Sequence, residues 1–482
     1  MKQTTLICLL VSLFAGLQAG AQTSIALTNA HVYPVSGAPI EHATILMKDG
    51  KIVSVGVNVA VPAGAQRIDL HGATVIPGLV DVSSALFLPD ESLTGAGTAD
   101  QDVLDGLDLF DKDAAKVLAA GVTTLYLSPG DRGTIGGVGA IVKLQDPNHS
   151  MAATGTAMQA NTLKPHAGLQ ITLGLSPSGR STSLERLNSY QALRSAFIAT
   201  RQYGLTFDHY VRDLALYEKR QKAGGATPPT AGAVADGPES IVPEEADEDD
   251  TTTDPNEPQR GGQRGGGAQG GQRFGGGGQG FGPGRPNASG KPTKPRAVPA
   301  QEIMLAALKG QIPVRIEAHR SDDIMHALAL ADEFKLKLIL ESPTEAAPVA
   351  AEIAKRHIPV IWGSVLTTGA PHLETAHQNP TTPALLAKAG VTVALTTGTR
   401  SGQASRFLRE NAALAAGFGL SSAAALRSIT LSAAEVLGIS DRVGSIQAGK
   451  DADLVILSAS PWDPAAKVER VFINGAQVYS GH

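Results

Sequence analysis

The chain of 482 residues has one cysteine, Cys8, and it falls inside an apolar run near the start. If that run is removed as a signal, the mature chain has no cysteine, which excludes disulfides, thiolate zinc sites and cysteine nucleophiles. Aromatic residues make up only 4%, so a core must be built from Ala, Val, Leu and Ile, which the 42% apolar content allows. Positive charge is not in excess. The formal net charge is −5, and the chain offers no broadly basic face for a nucleic acid or a membrane surface. No stretch of about 18 or more apolar residues follows the N-terminal run, so no membrane span is expected after it.

The N-terminal segment has Lys2 before an apolar run from Leu6 to Leu17, then the small residues Ala19-Gly20-Ala21. This order reads as a cleaved secretory signal over residues 1–21, and the run is too short to span a bilayer. The expected location is therefore exported, either periplasmic or secreted. Cys8 does not sit in the small-residue context of a lipoprotein cleavage site.

Residues 22–76 and 441–482 both read as short strands. Ala43-Thr44-Ile45-Leu46-Met47 turns at Lys48-Asp49-Gly50 into Lys51-Ile52-Val53, a hairpin signal, and Asn474-Gly475 is a second turn dipeptide. The two chain ends are expected to build one small composite β-sandwich domain jointly. Between them, 77–221 and 298–440 show strands alternating with helices. Val122–Leu127, Val314–Ile316, Leu338–Leu340, Ile358–Ile361 and Val391–Leu395 are the clearest strands. Ser321 is placed to cap a helix carrying Asp322 and Asp323 in its first turn. This rhythm predicts an α/β fold, a (β/α)8 TIM-like barrel. Its third and fourth strands fall within about 139–175 but have no clear bounds.

Residues 222–297 break the rhythm. An acidic run, Glu244 to Asp250, precedes a tract of Gly, Gln and Arg from Arg260 to Gly284. Such a segment cannot bury enough apolar area to offset its ordering entropy, so disorder is expected. Arg260-Gly261-Gly262 and Arg264-Gly265-Gly266 look like the repeats of RNA-binding tails, but an exported chain favours an inserted linker, and no nucleic-acid partner is expected. A tether for a protein partner is a third use of the same segment.

Val75-Ile76-Pro77-Gly78-Leu79-Val80-Asp81-Val82 and Asp441-Arg442-Val443-Gly444-Ser445-Ile446-Gln447-Ala448-Gly449-Lys450-Asp451-Ala452-Asp453-Leu454-Val455 closely resemble segments of the amidohydrolase superfamily, in particular its imidazolonepropionase-like group. Gly121-Val122-Thr123-Thr124, Ile135 to Lys143 and Ile429 to Ala434 look like further segments of it. The likeness covers about 25–215 and 298–482 and implies metal-dependent hydrolysis of C–N bonds other than peptide bonds. One or two divalent metals, zinc or another, would sit at the barrel mouth, lower the pKa of a bound water and polarise the scissile carbonyl.

Carried over residue by residue, the family's metal positions fall on Ser83 and Ala85 in the first barrel strand, Glu317 in the fifth, Ser342 in the sixth and Gly398 in the eighth. Serine, alanine and glycine do not hold zinc, and Glu317 with the neighbouring His319 makes a poor site. The expectation is a protein with no metal cofactor, impaired in catalysis, acting as a binding protein for a small molecule or as a partner of an active paralogue or of its own copies. The alternative is an active hydrolase of amide or cyclic amide substrates with a rearranged or metal-free site. Glu317, His319, Asp81 and Glu341 should lie near strand ends, and a Glu317–His319 pair could do acid–base work. The blander reading has His319 hydrogen-bonded in the mouth and Glu317 paired with Arg400 or Arg320. Nothing in the sequence shows the pair converging on a substrate, so this reading is preferred. Lys143 could suggest a metal-bridging lysine, but with no ligands to bridge it reads as a surface or cleft residue. His71, His166, His357, His372 and His377 show no ligand spacing and read as structural or exposed.

Overall fold

The structure is a computed structural model that describes residues 24–88, 97–130, 133–144, 161–174, 183–224, 290–365, 373–398 and 402–481. The expected signal, Cys8, the acidic run, the Gly/Arg tract, His372 and Arg400 lie outside the described residues. The chain divides into two units, residues 1–201 with 297–482, and residues 202–296.

Both chain ends do build one sheet. β1 (Ile25–Val32), β2 (Ile40–Lys48), β3 (Lys51–Gly56), β4 (Gln66–Asp69) and β5 (Thr74–Pro77) come from the N-terminal side. β14 (Leu454–Leu457), β15 (Val468–Ile473) and β16 (Ala476–Ser480) come from the C-terminal side. The order is β16-β15-β14-β5-β1-β2-β3, with β4 branching from β1. The two halves are joined where β14 runs antiparallel to β5, with Val455 opposite Ile76. Both hairpin turns have two residues with positive φ, Asp49 and Gly50 (54° and 77°) and Asn474 and Gly475 (49° and 72°). That is the chemistry a twisted two-residue hairpin demands.

Alternation along β14 serves two cores. Leu454 and Ile456 join Leu27, Ile45, Val75 and Phe472 in the core of this sheet. Val455 and Leu457 join the large cluster that surrounds the barrel strands. This explains why the strand is apolar at every position.

The barrel strands are β6 (Leu79–Ser84), β7 (Val122–Leu127), β8 (Ile135–Lys143), β9 (Thr162–Thr172), β10 (Val314–Glu317), β11 (Leu338–Glu341), β12 (Val360–Trp362) and β13 (Val393–Leu395). They are neighbours in chain order from β6 to β13. Around and between them lie α1 (Asp113–Ala119), α2 (Ser183–Lys222), α3 (Pro299–Leu308), α4 (Ser321–Phe334), α5 (Ala350–Lys355), α6 (Thr382–Lys388), α7 (Leu408–Gly417), α8 (Ser422–Ser428) and α9 (Leu431–Leu437). The TIM-like barrel of the sequence reading is therefore present, nearly closed, with its two end strands tied by side chains. Thr396 Oγ1, just after β13, donates to Asp81 of β6 and also lies 2.8 Å from the Ser83 carbonyl of that strand.

One strand departs from the expected βα repeat. β8 runs antiparallel to both β7 and β9. Antiparallel neighbours need no helical crossover. Its apolar run could not reveal its direction, because a strand buried on both faces looks the same read either way. The reversal carries the end of β8 to the foot of the barrel, with Lys143 opposite Thr124 near the start of β7.

The foot is plugged by α9. Its Ala433, Ala434, Val436 and Leu437 share a buried cluster with Val80, Ile141, Ile339, Ile361 and Ala394 from the strands. At the other end, α4 is not capped as the sequence suggested. Ser321 lies inside the helix, and its hydroxyl donates to the Glu345 carbonyl at 2.9 Å. The Glu345 carboxylate accepts from the Ser321 N–H at 3.1 Å instead, placing a negative charge at the positive end of the helix. In the second unit α2 runs on to Lys222, where Tyr203 and Phe207 pack edge to face with centroids 5.0 Å apart.

Candidate functional site

The barrel interior above the apolar plug is polar and organised by one cation. Arg315 of β10 is fully buried and reaches across the barrel to donate to the Val82 carbonyl of β6 at 2.7 Å. Its Nε and Nη2 donate to Glu341 Oε2 at 3.2 and 3.1 Å. Glu341 also accepts from Ser83 Oγ at 2.6 Å and from Gln170 Nε2 at 3.3 Å. Below the guanidinium lies Tyr126, whose hydroxyl donates to the Gly168 carbonyl at 3.3 Å. Glycine is required around them. A Cβ on Gly139 would collide with the Tyr126 hydroxyl, and one on Gly168 would sit 2.9 Å from Arg315 Cδ. Burial, only partly offset by the Arg315 charge, pushes the Tyr126 phenol up to about 12.

Asp81 is the second buried group. It accepts from Thr396 Oγ1 at 2.5 Å, Thr397 Oγ1 at 3.2 Å and the Ser83 N–H at 3.3 Å. Burial raises its pKa, and these hydrogen bonds, with one from Ser405, oppose the rise without cancelling it. Ser84 is satisfied by Ser405 at 2.9 Å.

At the mouth, Glu317 and His319 do meet. His319 Nε2 is 3.0 Å from Glu317 Oε1, and its Nδ1 is 2.7 Å from Thr344 Oγ1. Arg320 turns away to Asp322 at 3.1 Å, so the expected Glu317–Arg320 pair is replaced by the histidine contact. Sequence reasoning missed Thr344, since 25 residues separate it from its histidine partner. The Glu345 N–H donates to the His319 carbonyl at 2.8 Å and locks the two loops together.

The rim is ionic. Arg186 of α2 bridges Asp323 and Glu374, all three largely buried. Burial raises the pKa of Asp323 against the pull of Arg186. His377 contacts Glu345 at 2.7 Å. Burial alone would raise Glu345, but hydrogen bonds from His377 and the Ser321 N–H hold it low. His166 pairs with Asp102 at 2.9 Å, and His71 is exposed beside Asp69.

Lys143 is neither a surface residue nor a mouth residue. It is buried at the foot of the barrel, 2.8 Å from Asp451 Oδ2 and from Asp453 Oδ2, and 2.6 Å from Asn474 Oδ1. The antiparallel course of β8 puts it at the end of the barrel remote from Glu317, so it cannot bridge ions there.

An amidohydrolase-family model matches residues 307–478. Over 95% of its length the chain also superposes on the whole of an amidohydrolase from Thermotoga maritima MSB8, with 26% identity and a TM-score of 0.69. The chain carries an amidohydrolase-family domain. A prolidase solved with N-methylphosphonate-L-proline shares the fold at 16% identity, covering 95% of this chain and 100% of that one, with a TM-score of 0.51. The amidohydrolase TasK of Hapsidospora irregularis is 28% identical over 181 residues, 36% of this chain but only 18% of that relative's length.

In an amidohydrolase-family barrel a metal would need imidazoles and carboxylates at the strand ends. Ser83 and Ala85 lie at the end of β6, Glu317 ends β10, Ser342 follows β11 with φ of 52°, and Gly398 follows β13 with φ of 86°. This donor set does not fit a divalent ion. Ser83 is bound to Glu341, and Glu341 already neutralises Arg315. Arg315 Nη1 has no hydrogen-bond partner among the described residues, and a guanidinium N–H can only donate, so it offers a metal no ligand. Among the described residues no three His, Cys, Asp or Glu side chains converge as a metal site.

Proposed function

We propose that this amidohydrolase-family chain no longer uses the metal chemistry of its fold. It would be impaired in metal-dependent hydrolysis of C–N bonds and would use its barrel mouth as a metal-free site for a small polar molecule. The observation that carries this reading is the buried Arg315–Glu341 pair. A guanidinium bonded to Glu341 and to the Val82 carbonyl provides the interior with its cation, and the hydroxyl of Ser83 is engaged with the same carboxylate. In this reading the protein is exported and acts as a binding protein or as the partner of an active paralogue or of its own copies. Elemental analysis of the purified chain tests it. Zinc well below one equivalent, unchanged by mild chelation, is expected; stoichiometric zinc that survives chelation would refute it.

The Glu317–His319 contact favours a second reading within the same metal-free frame. A carboxylate 3.0 Å from an imidazole in a largely buried mouth can orient a base. The chain would then be a hydrolase of amide or cyclic amide substrates working without metal. Loss of turnover in Glu317→Gln and His319→Ala, with turnover of the parent protein unaffected by chelator, separates this from binding alone.

A further inference from the structure

The geometry points to Thr344 as a nucleophile in a threonine–histidine–glutamate relay that accepts the acyl group of a small ester or amide. The proposal rests on the second, catalytic reading above and gives that mouth a covalent mechanism.

The argument begins with proton polarity. A Glu317 carboxylate can only accept hydrogen bonds. His319 Nε2, 3.0 Å away, must therefore carry the proton. In a neutral imidazole the other nitrogen is then an acceptor. Thr344 Oγ1 lies 2.7 Å from that nitrogen and 3.4 Å from the Ser342 carbonyl, so toward a neutral imidazole its hydroxyl is the donor, over the shorter of its two contacts. A hydroxyl donating to an imidazole whose far side is held by a carboxylate is the arrangement that activates a nucleophile.

The backbone builds this arrangement rather than leaving it to flexible side chains. Ser342 sits in the left-handed region with φ of 52°, an uncommon place for a residue with a Cβ. Its carbonyl accepts from the Thr344 N–H at 2.8 Å, so the chain turns sharply around Pro343 as it leaves β11. That turn presents Thr344 to His319. The Glu345–His319 backbone bond then fixes the distance between the two loops. Strain at a strand end that holds a hydroxyl in place is a recurring feature of nucleophile turns. Thr344 and His319 are 6% and 9% exposed, which keeps bulk water from most of the pair.

The chemistry balances with water as the only co-reactant. Thr344 Oγ1 attacks the acyl carbonyl carbon while its proton passes to His319 Nδ1. The bond from that carbon to the leaving oxygen or nitrogen breaks, and His319 returns the proton to the leaving group. Water then attacks the acyl-threonine ester and gives its proton to His319. The acid departs and the threonine hydroxyl is restored. Glu317 is a positioning residue that holds the Nε2–H tautomer and steadies the imidazolium.

The test uses the purified chain with p-nitrophenyl acetate as the probe, with and without EDTA. A burst of p-nitrophenolate and a single acetyl group mapped to Thr344 after acid quench are expected in both arms. Thr344→Val should abolish the mapped adduct, and Thr344→Ser should retain it. His319→Ala should slow acetylation by about 10²–10⁴-fold. Glu317→Gln should slow it while leaving the adduct on Thr344. If Thr344→Val does not fold, the mapping on the parent protein decides the matter. Acetyl groups found only on lysines, or none at all, in folded zinc-free protein overturn the relay and leave the metal-free reading standing. A burst lost with EDTA and restored by zinc overturns both.

Discussion

The guanidinium carbon of Arg315 lies 3.6 Å from the centroid of the Tyr126 ring, stacked over the ring at the centre of the barrel. One face of the cation is covered by an aromatic quadrupole and its edge is paired with Glu341. Removing one partner of such a pair leaves the other charge buried alone, at a cost of about 3–5 kcal/mol. Arg315→Met and Glu341→Leu should each lower stability by about that much in urea titrations. The double variant should lose less than the sum, because no unpaired charge is left behind. Strict additivity would show that the two groups are not coupled.

The same stacking makes Tyr126 a reporter. The chain has seven tyrosines, and burial pushes this one up to about 12. Ultraviolet titration of the native protein should leave Tyr126 untitrated at a pH where exposed phenols, with pKa of about 10, have ionised. Tyr126→Phe should reduce the late-titrating amplitude by one phenol. An undiminished late step in Tyr126→Phe would show that Tyr126 does not titrate late.

Much of the frame could be read from the chain alone, for reasons visible in particular residues. Asp49-Gly50 and Asn474-Gly475 announce their turns because few other residues accept positive φ twice in a row. Val314-Arg315-Ile316 and Leu338 to Glu341 read as strands, and they are strands. The polar residues in them carried a signal that was harder to use. A charge between two apolar residues on a strand buried on both faces must find a partner inside, but sequence does not say which. Arg315 therefore gives no sign of its role in the sequence, and its partner Glu341 reads only as a strand-end carboxylate. The direction of β8 is illegible in an apolar run, and the place of Lys143 depends on that direction. Glu317 and His319 stand out through the family resemblance, whereas Thr344 joins them only through a loop contact.

Asp81 makes stability depend on pH in a stated direction. Burial raises its folded pKa despite the hydrogen bonds from Thr396, Ser405, the Ser83 N–H and Thr397. The folded protein thus holds this proton more tightly than the unfolded chain, whose carboxyl titrates near about 3.9. The contribution is fully present below that value and is lost as pH rises through the folded pKa. Asparagine cannot ionise, and Thr397 can turn its hydroxyl to accept from the new amide. The melting temperature of Asp81→Asn, relative to the parent, should therefore climb as pH rises above about 4. A difference that stays constant over that range would show that Asp81 remains in one state throughout.

Lys143 ties the foot of the barrel to the sheet made by the chain ends, and its two carboxylates differ in what else supports them. Asp451 also pairs with Lys51 and Arg442, and although burial would raise it, those partners and Lys143 hold it low. Asp453 has Lys143 and the Asn474 N–H at 2.9 Å, and burial keeps its pKa raised even so. Lys143→Met should therefore act mainly through Asp453, with a cost of about 3–5 kcal/mol for an uncompensated buried charge. Without the lysine the folded pKa of Asp453 rises further, so more stability is lost as pH rises through it. The deficit of Lys143→Met against the parent should accordingly be smaller near pH 5 than near pH 8, in urea midpoints measured at each. Adding Asp453→Asn should recover much of the loss at the higher pH, because the group that could not be neutralised there is gone. Recovery by Asp451→Asn instead would move the weak point to the carboxylate that keeps two other cations.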